Sequence, residues 1–310
     1  MQKLTSREKY SYGIGAYGKD LACGIVYTFL MIYFTDVVGI NPAFVGTLFL
    51  MARLWDAIND PIMGMIVDNT RSRFGKFRPW IFIGTILNSV VLFLLFRKPD
   101  LEGTSLYLYY SVMYILWGMT YTIMDIPYWS MIPSFTSDSS ERDKMSVIPR
   151  VFATIGGSTV NTFGLMLISF LGIGNNSIGY FRLGVGIAII FVISTLITVF
   201  NVKERNIVEN QEKITLKGVF EILFKNDQLL VYIGVVLAYN LVAQLAGGMA
   251  IYYFKYVTGN ENMYSVFTAF ASLAEISALI LFPIISKKMS KRNVFRMACY
   301  LPAVGLIMLL

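Results

Sequence analysis

Five acidic side chains lie within apolar stretches of the sequence that are long enough to cross a lipid bilayer. They are Asp20, Asp56, Asp60, Asp125 and Glu275. A charged side chain at the bilayer centre costs about 2.5–3.5 kcal/mol on insertion scales, so such residues usually handle ions or polar substrates. Each acid taken alone is explained equally well by a structural ion pair or hydrogen bond, and for Glu275 that explanation is at least as good as function. As a group, the five acids favour a transporter.

The second apolar stretch combines two carboxylates with an amide and an arginine. Arg53, Asp56 and Asp60 fall on one face of a helix, because successive residues turn by about 100°, and Asn59 lies beside them. Two carboxylates one turn apart repel each other unless a cation lies between them or one is protonated. We therefore expect a sodium-type cation site. The alternative, an ion pair of Arg53 with Asp56 or Asp60 that orders helix packing, explains only one of the acids.

The fourth apolar stretch carries a set of residues that is typical of sugar binding. Tyr121, Asp125 and Trp129 recur at intervals of four and so line one helix face, with Thr122 one turn before Asp125. A carboxylate can accept two hydroxyl hydrogen bonds, and an aromatic ring can cover the apolar patch of a pyranose. An aromatic belt at the membrane interface would explain Trp129 alone, but it does not explain Asp125.

The first and fifth stretches add basic residues to this set. Lys19 and Asp20 are adjacent in the first stretch. We expect Asp20 to join Asp125 across the helix bundle as a second acceptor for sugar hydroxyls, while Lys19 offsets the negative charge. Arg150 either contributes to the same cluster or marks the cytoplasmic boundary of the fifth stretch.

The composition is that of a polytopic membrane protein. Hydrophobic residues make up 56% of the chain and charged residues 15%, against roughly 25% charged residues in soluble domains. The expected membrane spans are 11–35, 43–66, 79–96, 105–133, 150–172, 181–200, 228–256 and 263–286, and a ninth begins near residue 294. Lysine and arginine concentrate in alternate connections, which predicts a cytoplasmic N-terminus. The net charge of +7 follows from this asymmetry and requires no nucleic acid.

The residue types also argue against catalysis. Histidine is absent, and both cysteines, Cys23 and Cys299, lie within predicted spans, so no disulfide framework or metal-ligand spacing is present. No nucleophile and base are paired in the sequence. We therefore expect neither an enzyme nor a cofactor, and any proton transfer would use carboxylates.

The order of the segments predicts an all-α protein with two unequal halves. We expect an N-terminal six-helix bundle at 1–201, a cytoplasmic linker at 202–227 and a partial C-terminal bundle at 228–310. Apolar residues recur within the linker at i, i+3, i+4 and i+7 from Leu216, which predicts a short amphipathic helix on the membrane surface. Six helices, a linker and a second half is the plan of major facilitator transporters.

Four segments resemble the glycoside–pentoside–hexuronide:cation symporters, a family of the major facilitator superfamily. They are Tyr12–Asp20, Ala52–Pro61, Thr70–Pro79 and Trp117–Pro127. The resemblance implies Na+-, Li+- or H+-coupled uptake of galactosides such as melibiose by alternating access. It also implies a multi-pass protein of the bacterial inner membrane, whose partners are a sugar and a monovalent cation, and we expect a monomer.

The resemblance also assigns residues to two sites. The sugar site falls on Lys19, Asp20, Asp125, Trp129 and Arg150, to which the helix-face argument adds Tyr121. The cation site, which would hold Na+, falls on Asp56, Asn59, Asp60 and Thr122. As a neighbour of both sites, Thr122 is a candidate for coupling them.

The family has twelve spans, whereas this sequence ends within the ninth. We therefore expect a C-terminally truncated chain that binds poorly and does not transport. The alternatives are a proton-coupled symporter of another glycoside, pentoside or hexuronide, a non-transporting membrane binding protein, and an inactive fragment.

Overall fold

The computed structural model describes residues 4–136, 139–205, 218 and 225–308, and every regular element among them is helical. The helices are α1 Ser6–Ile32, α2 Pro42–Asn69, α3 Arg78–Leu95, α4 Gly103–Ser130, α5 Ser139–Gly172, α6 Asn176–Asn201, α7 Asp227–Tyr252, α8 Asn262–Lys288 and α9 Lys291–Met308. A π-helical turn extends α1 over Tyr33–Val38 and α7 over Tyr253–Val257. A short 3-10 helix, Ile132–Ser134, follows α4.

Six helical stretches in the described part of the chain are long and apolar enough to cross a membrane. They are Ser6–Val38, Arg78–Leu95, Met145–Gly172, Asn176–Asn201, Asp227–Val257 and Asn262–Phe282. Helices α2 and α9 carry several charged residues, and α4 is rich in tyrosine, which lowers the hydropathy of these three predicted spans. The expectation of an all-α, multi-pass membrane protein is confirmed.

The fifth helix begins earlier than its predicted membrane span. The sequence placed the start at residue 150, after Pro149, whereas α5 begins at Ser139 and contains Pro149. The charged run before Pro149 ends the apolar stretch but not the helix, and Glu141 in this extension lies 2.5 Å from Lys9 in α1. The predicted amphipathic helix falls mostly on residues 206–217 and 219–224, which lie outside the described residues, so the linker remains a prediction.

Helix α1 is the central element of the first six helices and packs against α5 and α6. A Cβ atom at Gly15 would collide with the side chain of Thr198, and one at Gly18 would collide with Ser194. Small residues let two membrane helices approach closely. These glycines therefore bring α1 close to α6.

Two tyrosines fix α1 against α4. The Tyr12 hydroxyl donates to the carbonyl oxygen of Tyr128, and the Tyr128 hydroxyl donates to the carbonyl oxygen of Tyr12. Their rings are stacked with centroids 4.4 Å apart, and such a pair contributes about 0.5–1.5 kcal/mol beyond its buried area. This contact sets the register of the two helices, so that Lys19 and Asp125 meet.

Candidate functional site

A buried lysine lies at the centre of the candidate site. Lys19 Nζ lies 2.7 Å from Asp125 Oδ1 and 2.9 Å from Asp20 Oδ2. The lysine side chain is only 4% exposed, whereas the two carboxylates are 27% and 28% exposed. The structure therefore brings Asp20 and Asp125 together, as the sugar-site expectation requires, and leaves both carboxylates accessible to a polar ligand.

Aromatic rings lie around this charge cluster. Lys19 Nζ lies 4.8 Å from the centroid of the Trp129 ring and 5.7 Å from that of Tyr121. The guanidinium carbon of Arg150 lies 4.6 Å from the same Trp129 centroid. Of the two alternatives for Arg150, the geometry favours the cluster, because Trp129 is within cation–π distance of both bases.

The acids of α2 have different partners. Arg53 Nη1 lies 3.2 Å from Asp56 Oδ2, which is one of the two ion pairs that the sequence left open. The Thr122 hydroxyl of α4 donates to Asp60 Oδ1 over 3.0 Å. Asp60 is therefore linked to α4 by a neutral donor, and its negative charge remains available to a cation.

Asn59, the amide that was predicted for the cation site, does not line the cavity that Asp56 and Asp60 share. Its Nδ2 atom is buried without a hydrogen-bond partner in the described part of the chain. Over the same residues, no three His, Cys, Asp or Glu side chains form a metal-ion cluster. A monovalent cation at Asp60 could draw further oxygen ligands from Asp56 and Thr122, which line the same cavity, and from water.

One cavity is lined by Asp56 and Asp60 of the predicted cation site and by Asp125 of the predicted sugar site. It has a volume of about 130 Å³ and lies between α1, α2 and α4. Its lining residues are Tyr27, Arg53, Asp56, Asp60, Trp117, Gly118, Tyr121, Thr122, Asp125 and Ile126. Because Asp60 and Asp125 face the same space, a cation at one carboxylate changes the electrostatic field at the other.

Several residues of this cavity were not predicted as site residues. Trp117 continues the four-residue series of Tyr121, Asp125 and Trp129 by one step toward the N-terminus, so the spacing alone contained this signal. Gly118 carried no signal. A Cβ atom at Gly118 would lie 3.3 Å from Asp56 Oδ1, which shows that the glycine leaves room for this carboxylate.

A second cavity of about 260 Å³ lies on the other side of Asp20, between α1, α5, α7 and α8. Its lining residues are Asp20, Cys23, Gly24, Tyr27, Thr28, Gly157, Asn161, Gly247, Gly248 and Tyr264. Tyr27 lines both cavities. The Thr28 hydroxyl donates to Asn161 Oδ1 over 2.5 Å, which gives this cavity a polar wall.

Glu275, the fifth acid within the apolar stretches, is hydrogen-bonded to a threonine. Thr154 Oγ1 of α5 donates to Glu275 Oε1 of α8 over 3.1 Å. Glu275 lines neither of the two cavities. Its contact is the structural hydrogen bond that was considered at least as good an explanation as function.

Comparison with known proteins gives consistent matches over almost the whole chain. A family model described as MFS/sugar transport protein matches residues 11–310. The putative glycoside/cation symporter YagG of Escherichia coli (strain K12) is 33% identical over 88% of this chain and 60% of that protein. The isoprimeverose transporter of Lactiplantibacillus pentosus is 32% identical over 97% of this chain and 64% of that protein.

A lactose permease of Leuconostoc lactis is 29% identical over 93% of this chain and 48% of its own length. The chain thus spans about half to two thirds of the length of the curated relatives it matches. The family consists of transporters rather than enzymes, and its coupling ion is transported cargo rather than a cofactor. The chain belongs to the glycoside–pentoside–hexuronide:cation symporter family of the major facilitator superfamily.

Proposed function

We propose that this protein carries out the symport of a galactoside, such as melibiose, with Na+, Li+ or H+. The observation that carries the proposal is the shared cavity, in which Asp60 and Asp125 face one space from α2 and α4. A symporter has to couple its cation site to its sugar site. Two sites that face one cavity can be coupled directly, because a charge bound at one changes the electrostatic field at the other.

The sugar is assigned to the charge cluster around Lys19, which adjoins this cavity at Asp125 and Tyr121. Asp20 and Asp125 accept hydrogen bonds from sugar hydroxyls, and Lys19 and Arg150 limit their mutual repulsion. Trp129 offers a ring to the apolar face of a pyranose, and Tyr121 donates or accepts a further hydrogen bond. The cation is assigned to Asp56, Asp60 and Thr122. Asn59 joins them only if its buried amide turns toward the cavity.

The ion-pair contacts support a binding order. With no cation bound, the carboxylates of Asp60 and Asp125 face the same cavity and repel each other. A cation at Asp60 neutralises one of them, so that Asp125 is held mainly by Lys19, 2.7 Å away. We therefore infer that cation binding precedes and tightens sugar binding.

The cellular setting is also a proposal. The basic connections of the sequence assign the N-terminus to the cytoplasm, and the family assignment implies the bacterial inner membrane. The proposed division into a bundle at 1–201, a linker at 202–227 and a partial second bundle at 228–310 follows the two-body plan on which alternating access depends. We propose that the transporting unit is a monomer.

The test is uptake of radiolabelled melibiose, lactose and raffinose into transporter-deficient cells that express this chain. Uptake of one sugar that depends on sodium, lithium or a proton gradient supports the proposal, and Asp125→Asn has to abolish it. Asp100→Asn, which alters an exposed acid in the α3–α4 connection, is the matched control and has to retain uptake. Absence of uptake while the chain is present in the membrane contradicts transport by these 310 residues and favours the expectation from the sequence that this chain alone does not transport.

A further inference from the structure

An ion pair joins the ends of α1 and α7 that lie away from the basic connections. Lys255 Nζ lies 2.5 Å from Asp36 Oδ2, and the Tyr256 hydroxyl donates to the same oxygen over 3.4 Å. Elsewhere α1 and α7 pack only sparsely against each other. We call Asp36, Lys255 and Tyr256 the outer clasp.

The two sides of the outer clasp occupy equivalent positions of an internal repeat. Residues 32–41 read IYFTDVVGIN and residues 251–260 read IYYFKYVTGN, which align without a gap and match in Ile, Tyr, Val and Asn. Both segments contain the π-helical turn that ends their helix. Two halves of a transporter related by an axis along the membrane normal place such equivalent positions opposite each other. Opposite charges at these positions attract across the axis.

A layer of buried apolar side chains accompanies the clasp. Ile251 is 2% exposed and Tyr264 is 4% exposed, and they are the buried hydrophobic residues of α7 and α8 among the residues described. Ile251 precedes Lys255 by one helical turn, and Tyr264 lies at the start of α8. Tyr264 and Thr28 both line the second cavity. Thr28 precedes Asp36 on α1 by about 12 Å, at a rise of 1.5 Å per residue.

From this arrangement we propose that the outer clasp holds the outer end of the second cavity closed, and that it has to break when the cavity opens to that side. The clasp attaches the end of α7 to the end of α1, so its loss frees that end while the α5–α8 contact through Thr154 and Glu275 remains. This inference rests on the proposed function for the existence of two access states. The location of the clasp on the outer side of the membrane rests on the proposed cytoplasmic location of the N-terminus.

The test uses a cysteine that the chain already contains. Cys23 lines the second cavity, and Cys299→Ser leaves it as the only thiol, because the sequence has 2 cysteines. The rate at which a membrane-impermeant maleimide labels Cys23 in right-side-out vesicles then reports opening at the outer end. Partly exposed ion pairs contribute about 0.2–1 kcal/mol, so Asp36→Asn and Lys255→Gln should each speed labelling by a factor of roughly 1.4 to 5. Tyr256→Phe should have a smaller effect in the same direction.

Exchanging the charges of Asp36 and Lys255 tests whether the labelling rate depends on their interaction or on either residue alone. Asp36→Lys alone places two cations together and should label fastest. Asp36→Lys combined with Lys255→Asp should bring the rate back toward the parent rate, but not fully, because the aspartate introduced at position 255 also faces Glu261, which lies 3.6 Å from Lys255 in the parent. Lys98→Gln is the matched control, because Lys98 donates to the carbonyl oxygen of Val37 within the first six helices, and it should label at the parent rate. Unchanged rates in the single variants, or a charge exchange that labels as fast as Asp36→Lys alone, would overturn the inference. Labelling requires no sugar, so this result is independent of the uptake experiment.

Discussion

Lys19 Nζ of α1 lies 2.7 Å from Asp125 Oδ1 of α4, and one turn earlier on α4 the Thr122 hydroxyl donates to Asp60 of α2. A single turn of α4 therefore contacts the partners of both proposed sites. A small rotation of α4 would change both contacts at once, because residues three apart share a helix face.

Removal of the central lysine should destabilise the protein. In Lys19→Gln, two carboxylates face each other without a cation, and loss of one member of a buried ion pair typically costs about 3–5 kcal/mol. The melting temperature of the purified protein in detergent should fall. Adding Asp125→Asn should recover part of the loss, because it removes one of the unpaired charges. A double variant whose loss equals the sum of the two single losses would contradict a direct interaction.

Loss of the Trp129 ring should weaken sugar binding. We expect Trp129→Ala to lower sugar affinity about tenfold, which corresponds to roughly 1.4 kcal/mol, while Trp129→Phe retains most of it. The measurement is equilibrium binding of a labelled galactoside. Trp80→Ala is the control, because Trp80 donates to the hydroxyl of Thr70, which directly follows the end of α2, and Trp80 is not part of the cluster around Lys19. Equal losses in the two alanine variants would mean that the effect is not specific to the site.

The Thr122 hydroxyl should affect the cation more than the sugar. Thr122→Val keeps the shape of the side chain but leaves Asp60 without its donor, and a hydrogen bond to a charged group contributes about 1.5–3 kcal/mol. We expect the cation concentration for half-maximal sugar binding to change at least about tenfold, with little change in sugar affinity at saturating cation. Thr47→Val, an exposed position whose hydroxyl donates within α2, should behave like the parent. A change in sugar affinity alone would place Thr122 at the sugar site.

A side chain at Gly118 should disturb Asp56. The added Cβ of Gly118→Ala would lie 3.3 Å from Asp56 Oδ1, and a displaced rotamer costs about 0.5–1.5 kcal/mol. Cation affinity, measured from the cation dependence of sugar binding, should fall by roughly two- to tenfold at this energy. Gly46→Ala on α2, where a Cβ meets nothing within 4 Å, is the matched control. An unchanged cation dependence in Gly118→Ala would exclude Asp56 from the cation site.

The sequence predicted the membrane helices better than it predicted their ends. Long apolar stretches determine where a helix crosses the bilayer. Every predicted span falls on a helix, and six helical stretches in the described part of the chain are long and apolar enough to cross a membrane. The start of α5 was wrong because Pro149 and the charges before it mark the end of an apolar stretch, while the backbone continues as helix to Ser139.

Helix faces within one span could also be predicted, but contacts between spans could not. The four-residue spacing grouped Tyr121, Asp125 and Trp129 correctly on α4. The pairing of Asp60 with Thr122 depends on how α2 packs against α4, which spacing along one chain does not encode. The opposed charges of Asp36 and Lys255 lie 219 positions apart, so their contact emerged only from the folded chain.

The central claim is that a cation at Asp60 and a sugar at Asp125 influence each other across one cavity. The most direct test measures galactoside affinity of the protein in lipid nanodiscs, with Na+, with Li+, with choline alone, and at two pH values. We predict that at least one of these cations tightens sugar binding by roughly 5- to 150-fold, the usual range of coupling between two sites. Asp60→Asn should retain sugar binding and lose this dependence. Sugar binding that no cation changes, or a cation effect that persists in Asp60→Asn, would contradict the account.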